Sequence, residues 1–247
     1  MALTRLIGME KMSLARYLQM ESTYTKLLQK IIPIKFHTLE DVQFLIEKII
    51  MSKISIILAS KSARREKILK QIGLKFQIIP SEISEHMDKE ISPKKLAKSL
   101  SYKKAEKIAK QHKNKIIIGA DTVIYCNGKT LGKPKDNDEN IRMLKSISGT
   151  THSVFTGVTI IHKNKNIYKT FIQTTKVTVL KIPKYEIEYY IQNYPTLDKA
   201  GGYGIQGWFS VWIKRIDGCY FNVMGLPLSK FYQNYKTVIN TLSNDNN

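Results

Sequence analysis

The sequence is poor in cysteine. Among its 247 residues it holds two, Cys126 and Cys219, in neither a CxxC nor a Cys/His pattern. This spacing excludes a disulfide framework and a sequence-encoded zinc site. We expect two buried thiols, each inside a strand, in a reducing cytoplasm.

Long apolar runs are lacking as well. The longest early candidate covers residues 42–50 and is interrupted by Glu47 and Lys48, whereas a membrane-spanning helix needs roughly 20 apolar residues. We therefore expect no membrane segment and a cytoplasmic location.

Acidic residues are scarce relative to basic ones. Asp and Glu number 20 against 40 Lys and Arg, which gives a formal net charge of +20. A field of this sign attracts polyanions. The lysines are spread over the whole chain, without an Arg-rich block, an aromatic-interleaved block or an RNA-binding signature, so we expect no specific nucleic-acid binding. A polyanionic small molecule would exploit the same field.

The pattern of apolar and polar residues changes near residue 51. Residues 1–50 predict short amphipathic helices, of which 13–30 is the clearest, and carry no chemical motif, signal peptide or transit peptide. From Met51 onward, apolar strands alternate with capped helices. We expect an N-terminal extension over 1–50 and one domain over 51–245, with Met51 as a candidate functional start.

The order of predicted elements favours an α/β fold. Helix-connected strands come first and hairpins later, which predicts a mixed sheet. The predicted strands cover 54–59, 76–79, 115–126 and two long segments on either side of 163–166; the predicted helices cover 63–72, 93–111, a segment from 137, 184–193 and 228–242. Hairpin turns are predicted at Asn127-Gly128 and Asp217-Gly218.

Asp121 is the acid that an apolar run delivers into a Gly-bounded turn. The run over 115–126 contains Gly119-Ala120-Asp121-Thr122, and Lys133 follows on a second Gly-bounded turn. A buried strand that ends there directs a carboxylate toward a substrate. Turn chemistry alone explains many such acids, so the interpretation depends on the other motifs.

Residues 58–65 run from a strand through a tight loop into a helix. Arg64 and Arg65 lie in the first helical turn, where the helix dipole disfavours a cation by about 0.3–1 kcal/mol. A phosphate there would receive free backbone N–H groups, two guanidinium groups and the hydroxyl of Ser60 or Ser62. Two solvated arginines on an exposed turn are the alternative.

Lysines and acids elsewhere suit the same phosphate. Lys104, on the helix predicted after residue 93, and Lys133 are candidate phosphate ligands. Glu82, Glu85 and Asp121 belong to the scarcer acidic class, and Mg²⁺ takes one or two carboxylates together with phosphate oxygens. Glu85 is the candidate metal ligand, with a solvated loop acid as the alternative.

The loop over 198–207 contains four glycines, which let a backbone approach a ligand closely. Its Gln206 can both donate and accept hydrogen bonds, as the edge of a uracil or thymine ring requires. Alone, such a loop would be taken for a linker.

Together, these motifs resemble those of the Maf family of nucleoside triphosphate pyrophosphatases. The resemblance covers about residues 53–235 and rests on six segments in order. These are LASKSARR at 58–65, GADT at 119–122, GKP at 132–134, SGTTHSVFTGV at 148–158, DKAGGYGIQG at 198–207 and GLPL at 225–228.

The resemblance implies a reaction and a set of roles. It implies hydrolysis of a nucleoside triphosphate between the α and β phosphates, with Mg²⁺ or Mn²⁺, to a monophosphate and pyrophosphate. Asp121 would accept a proton from the attacking water. Arg64, Thr122 and Gln206 match positions that set base preference and resemble the dTTP/UTP branch rather than the 7-methyl-GTP branch.

The resemblance also implies a fold, a Maf- and ITPase-like elongated body of two lobes around a mixed sheet, with flanking helices and a central nucleotide cleft. Whether the chain forms a homodimer is left open by the sequence. The chain departs from the family at Ala63, where a proline is usual, and at Lys67, where a glutamate is usual. Glu66 stands one position before the place of that glutamate. Because one residue on a helix turns the side chain by about 100°, Glu66 cannot simply replace it. The alternative function is a basic nucleic-acid-associated or division-regulating binding protein.

Overall fold

The computed structural model of the chain describes residues 54–83 and 91–244. The predicted N-terminal helices, Met51 and Glu85 lie outside these ranges. By its contacts the chain divides into a unit of residues 55–238 and a unit of residues 1–54 with 239–247. The sheet and the cleft belong to the first unit.

Most helices begin at a capping side chain or beside a proline. Within the described residues the helices are α1 (Ala63–Gln71), α2 (Pro93–Gln111), α3 (Asn137–Ile147), α4 (Lys184–Asn193), α5 (Tyr220–Met224) and α6 (Leu228–Asn244). Among these described helices the exception is α5, which follows Cys219. Asp136 and Glu139 stand at capping-box spacing, and the N-cap at Asp136 is confirmed, because its carboxylate accepts from the Glu139 amide at 2.7 Å. The Glu139 carboxylate accepts from the amide of Lys135, one residue before the N-cap, at 2.7 Å.

The strands form one mixed sheet, as predicted. They are β1 (Ile56–Leu58), β2 (Gln77–Ile78), β3 (Ile116–Cys126), β4 (Lys129–Leu131), β5 (Thr151–His162), β6 (Ile167–Val179) and β7 (Ile213–Asp217). The order is β2-β1-β3-β5-β6-β7, with β4 also paired to β3. β1 is parallel to β2 and β3, and the remaining pairs are antiparallel.

One edge of β3 changes partner along its length. β1 pairs with residues 116–118 of β3, and β4 pairs with residues 124–126. Between them, among the described strands, residues 119–123 pair with β5 alone. The sheet therefore opens beside Asp121, at the point where β1 ends and its loop leads into α1.

Helices cover both faces of the sheet. On one face α2 lies so close that a Cβ on Gly119 would stand 2.4 Å from the Ser101 carbonyl oxygen, and one on Gly157 2.3 Å from that of Ala97. The opposite face is covered by a core that draws on α3, α4 and the loop after α4. Its largest buried members include Ile124, Leu144, Ile147, Val177, Ile187, Tyr190 and Phe209.

The turn predicted at Asp121 is wrong. The strand β3 continues to Cys126, so Asp121 lies inside it and pairs with Gly157 of β5.

The two hairpin predictions have opposite outcomes. The hairpin at Asn127-Gly128 is confirmed, with φ of 48° and 77°, and joins β3 to β4. The hairpin at Asp217-Gly218 is wrong: Gly218, at φ 125°, turns the chain into α5 instead of a second strand. Cys219 accordingly precedes a helix and is half-buried, whereas Cys126 is buried in β3 as predicted.

Candidate active site

A cleft of about 2020 Å³ lies at the opening of the sheet. Its lining includes nine Lys or Arg residues and four Asp or Glu residues, so the cleft is basic like the whole chain. Eight of the predicted site residues line it, namely Ser60, Arg64, Arg65, Lys104, Asp121, Thr122, Lys133 and Gln206. Elements far apart in sequence thus meet where the resemblance places the substrate.

Asp121 is held by a buried lysine. Its side chain is 7% exposed, and the Lys104 Nζ, from α2, lies 2.5 Å from its Oδ1. Gly119 allows α2 to approach β3 this closely, and Lys104 thereby reaches the carboxylate across the helix–strand contact. Breaking a buried ion pair by removing one partner costs about 3–5 kcal/mol. The pair therefore fixes the direction of the Asp121 carboxylate.

Arg65 turns inward from the start of α1. It is 8% exposed, and its Nε donates to the Gly225 carbonyl oxygen at 2.8 Å. Its Nη1 donates to the Ser60 hydroxyl at 3.0 Å, and its Nη2 donates to the Thr122 hydroxyl at 3.2 Å. A buried guanidinium needs such acceptors. Arg65 therefore joins the β1–α1 loop, β3 and the segment after α5.

A line of buried polar groups continues from Thr122 across the sheet. The Thr122 and Thr156 hydroxyls lie 2.9 Å apart, and Thr156 donates to the Asn222 carbonyl oxygen at 2.9 Å. The Asn222 side-chain amide donates to the Val154 carbonyl oxygen at 3.1 Å. The orientation of Thr122 is thus set from both sides.

Arg64 points the other way, toward the glycine-rich loop. Its Nη1 lies 2.6 Å from the Asp198 Oδ2, and its Nη2 donates to the Asp198 carbonyl oxygen at 3.3 Å. Gln206, on the same loop, is exposed in the cleft. Arg64 is therefore tied to the loop that carries Gln206.

The glycine-rich loop is anchored to β5 by a neutral pair. The His152 Nε2 and the Tyr203 hydroxyl oxygen lie 2.7 Å apart, with both side chains buried. Burial lowers the pKa of His152 from 6.5 to about 4, and burial also raises the pKa of Tyr203. Both groups are consequently uncharged at neutral pH, which suits a buried contact.

Three site residues were missed at the sequence level. Asp198 and Gly225 lie in segments that carry the resemblance, and Thr156 lies within another, but no role was given to any of them. The one available signal was a polar residue inside an apolar run, as at Thr156 in β5. For Asp198 and Gly225 the partners are more than 130 positions away in sequence, and only the fold brings them together.

Two absences apply to the part of the chain that the structure describes. No group of three or more His, Cys, Asp or Glu side chains there could by itself hold a metal ion. No helix there is long and apolar enough to cross a membrane.

Sequence comparison finds known proteins that are similar over most of this chain. A dTTP/UTP pyrophosphatase from Carboxydothermus hydrogenoformans is 46% identical over 178 residues, covering 72% of this chain and 95% of that protein. A relative of the same name from Syntrophomonas wolfei is 41% identical over 175 residues, covering 71% of this chain and 93% of the relative.

A solved structure and a family model were also compared with this chain. The solved structure of a HAM1 protein from Coxiella burnetii overlaps 53% of this chain and 75% of its own, with 16% identity and a TM-score of 0.38, which is too distant to bear on the site. A family model described as Maf-like protein matches residues 55–238, the span that holds the sheet, the cleft and its eight predicted residues. The chain therefore belongs to the Maf family.

Proposed function

We propose that this protein is a nucleoside triphosphate pyrophosphatase that hydrolyses dTTP and UTP, and modified pyrimidine nucleotides related to them. The observation that carries the proposal is the cleft at the sheet opening, where Asp121, Arg64 and Gln206 meet. The high identity to proteins that bear the name dTTP/UTP pyrophosphatase supports the same activity.

Asp121 acts as the general base. A water molecule loses a proton to its carboxylate and attacks the α phosphorus, while the bond from that phosphorus to the bridging oxygen breaks and pyrophosphate leaves. General-base catalysis is typically worth 10²–10⁴-fold. The Lys104 contact at 2.5 Å holds the carboxylate toward the cleft during this step.

Cations of the cleft balance the charge of the triphosphate. Lys133 lines the cleft after β4, and the start of α1 presents backbone N–H groups beside Ser60. Donors at a helix start favour phosphate. Lys104 and Arg65 are engaged with protein groups in this structure, and we propose that they add positive potential at the phosphates from there.

The metal proposed here is Mg²⁺ or Mn²⁺. The carboxylates of Glu82 and Asp121 both line the cleft. They fit such an ion, because it takes one or two protein carboxylates and completes its shell with phosphate oxygens and water. We propose Glu85, outside the described residues, as a further ligand. When bound, the ion would supply Lewis acidity at the phosphate oxygens.

Base preference comes from Arg64, Thr122 and Gln206. The Gln206 amide pairs a donor and an acceptor with the complementary edge of uracil or thymine. We also propose that residues 51–245 form the catalytic domain and that the protein acts in the cytoplasm, where its free thiols stay reduced.

A substrate panel in ¹⁸O-labelled water tests this proposal. Purified protein with Mg²⁺ or Mn²⁺ is given dTTP, UTP, CTP, 7-methyl-GTP, ATP and GTP, and pyrophosphate release is followed. We expect turnover of dTTP and UTP with the label in the monophosphate, since water attacks the α phosphorus. Label in pyrophosphate, or no turnover of any nucleotide, would contradict it.

A further inference from the structure

Arg64 is held by two hydrogen bonds to one residue. Its Nη1 meets the Asp198 side chain at 2.6 Å and its Nη2 meets the Asp198 backbone oxygen at 3.3 Å. Two parallel contacts fix the plane of a guanidinium as well as its position. The Arg64 side chain is 21% exposed, so it is held at the wall of the cleft with part of its surface available to a ligand.

Asp198 is in turn fixed from the other side. The Lys199 Nζ lies 2.5 Å from the Asp198 Oδ1 and 2.5 Å from the Pro195 carbonyl oxygen. The stem of Lys199 runs over Gly204, where an added Cβ would meet Lys199 Cε at 3.0 Å. Gly204 stands two residues before Gln206, so the Asp198–Lys199 pair packs against the part of the glycine-rich loop that presents the glutamine.

The charges explain why this position holds an acid. Burial alone would raise the pKa of Asp198, but hydrogen bonds from Lys199 and Arg64 outweigh it and hold that pKa below its usual value. Asp198 is consequently ionised at neutral pH. Arg64 lies in the first turn of α1, where the helix dipole disfavours a cation, and the Asp198 carboxylate offsets that effect.

We infer that Asp198 is a positioning residue for base selection: it holds the Arg64 guanidinium at a fixed place relative to Gln206. The inference rests on the proposed function, because Arg64 has a base to select only if a nucleotide is the substrate. Asp198 contacts Arg64, whereas the proposed base Asp121 is held separately by Lys104. The effect therefore falls on substrate preference and KM, with kcat for the preferred substrate largely spared.

The test measures kcat and KM for dTTP, UTP, CTP and ATP. The proteins are wild type, Asp198→Asn, Asp198→Glu, Arg64→Lys and the double variant Arg64→Lys with Asp198→Asn. The matched control is Glu188→Gln, which removes the carboxylate of an exposed ion pair on α4. Thermal unfolding of each protein accompanies the kinetics.

In Asp198→Asn we expect the preference for dTTP over CTP, as a ratio of kcat/KM, to fall at least tenfold. Most of the change should be a higher KM for dTTP, with kcat within about threefold of wild type. Asp198→Glu should retain part of the preference because it keeps the charge, and Glu188→Gln should match wild type. The double variant should be no worse than Arg64→Lys alone, because Asp198 acts through Arg64.

Three results would overturn the inference while leaving the proposed function intact. One is a folded Asp198→Asn protein that keeps the wild-type preference within twofold. Another is a loss confined to kcat with preference unchanged. The last is an additive effect of Asp198→Asn on top of Arg64→Lys, which would mean that Asp198 contacts the substrate directly. A wild-type protein that turns over no nucleotide would overturn the proposed function and this inference together.

Discussion

At the scale of single residues, the cations of the cleft differ in what they contact. The sequence grouped Arg64, Arg65, Lys104 and Lys133 as ligands of an anion. In the fold Arg65 and Lys104 are buried against protein acceptors, and Arg64 is paired with Asp198. A buried cation without acceptors would be too costly to keep, so these contacts are what permits positive charge deep in the site.

The first prediction concerns Asp121. Asp121→Asn keeps the shape of the side chain and removes its capacity to accept a proton, so pyrophosphate release should fall at least 100-fold. The buried Lys104 also loses its counter-charge, and the melting temperature should drop. Steady-state kinetics and thermal unfolding measure the two effects separately.

Asp138→Asn is the matched control, since Asp138 is an exposed acid in the first turn of α3. It should leave both rate and melting temperature near wild type. If a folded Asp121→Asn protein keeps more than about a tenth of the activity, a loss far smaller than removing a general base produces, the base lies elsewhere, and Glu85 is the next residue to test.

At the scale of elements, the site exists because β3 exchanges one neighbour for another. β1 stops at Leu58 and β4 begins to pair at Ile124, which leaves a window in the sheet at Asp121. The α2 helix closes one face of β3 and β5 through glycine contacts. A strand that lacks a neighbour presents its side chains and backbone to a ligand, and this window holds Asp121, the proposed general base.

A second prediction tests the contact between α2 and the sheet. In Gly157→Ala the new Cβ would stand 2.3 Å from the Ala97 backbone oxygen, so α2 must shift. Overpacking of this kind costs about 1–3 kcal/mol. Urea unfolding should show that loss, and dTTP hydrolysis should fall as well because α2 carries Lys104.

Gly207→Ala serves as the comparison for stability. An added Cβ there meets nothing nearer than 3.8 Å, and φ is −108°. Its free energy of unfolding should stay within about 0.5 kcal/mol of wild type, as is usual for substitutions away from close contacts. Equal stability of the two alanine variants would show that the α2 contact is not tight.

A third prediction follows from His152, which joins β5 to the glycine-rich loop. Its pKa is about 4 in the folded protein, lowered by burial from 6.5. Between these values the unfolded chain binds a proton that the folded chain does not, so stability is full above pH 6.5 and falls as the pH drops toward 4.

At pH 4.5 the shifted pKa of His152 should lower the free energy of unfolding by about 2–3 kcal/mol relative to pH 7.5. Urea unfolding of wild type and of His152→Asn at both pH values isolates it, because the other titrating groups are common to the two proteins. The variant should lose correspondingly less stability on acidification. Parallel losses in the two proteins would show that His152 is not buried in its neutral form.

At the scale of the whole molecule, the net charge of +20 is spread along the chain, and the cleft shares its sign. Nine cationic residues against four acidic ones line it, so the potential there favours a polyanion before any contact is made. Such long-range attraction is screened within about 10 Å at 0.1 M salt. The charge of the cleft suits a small polyanionic substrate.

Salt dependence is the fourth prediction. Raising NaCl from 50 to 500 mM should increase KM for dTTP about threefold or more by screening the cleft, while kcat changes little because contacts in the bound state are screened less. Steady-state kinetics at several concentrations measures this. An unchanged KM across that range would mean that the net charge serves some other partner.

Much of the fold followed from local chemistry along the chain. Pro93 and the cap at Asp136 located helix starts, and Asn127-Gly128 located a hairpin. The error at Asp217-Gly218 has a local cause: the same Gly conformation can reverse a strand or lead into a helix. The segment after Gly218 is held by a residue distant in sequence, because the Cys219 amide donates to the Thr175 hydroxyl of β6 at 3.0 Å.

The candidate site likewise has residues that the sequence could identify and contacts that only the fold could show. Asp121, Thr122 and Gln206 could be identified because an acid inside an apolar run and an amide among glycines are unusual locally. The pairing of Arg64 with Asp198, the inward turn of Arg65 and the Lys104–Asp121 contact join residues that are distant in sequence. Residue types are encoded one position at a time, whereas a cation's partner depends on which acceptors the folded backbone brings within about 3 Å.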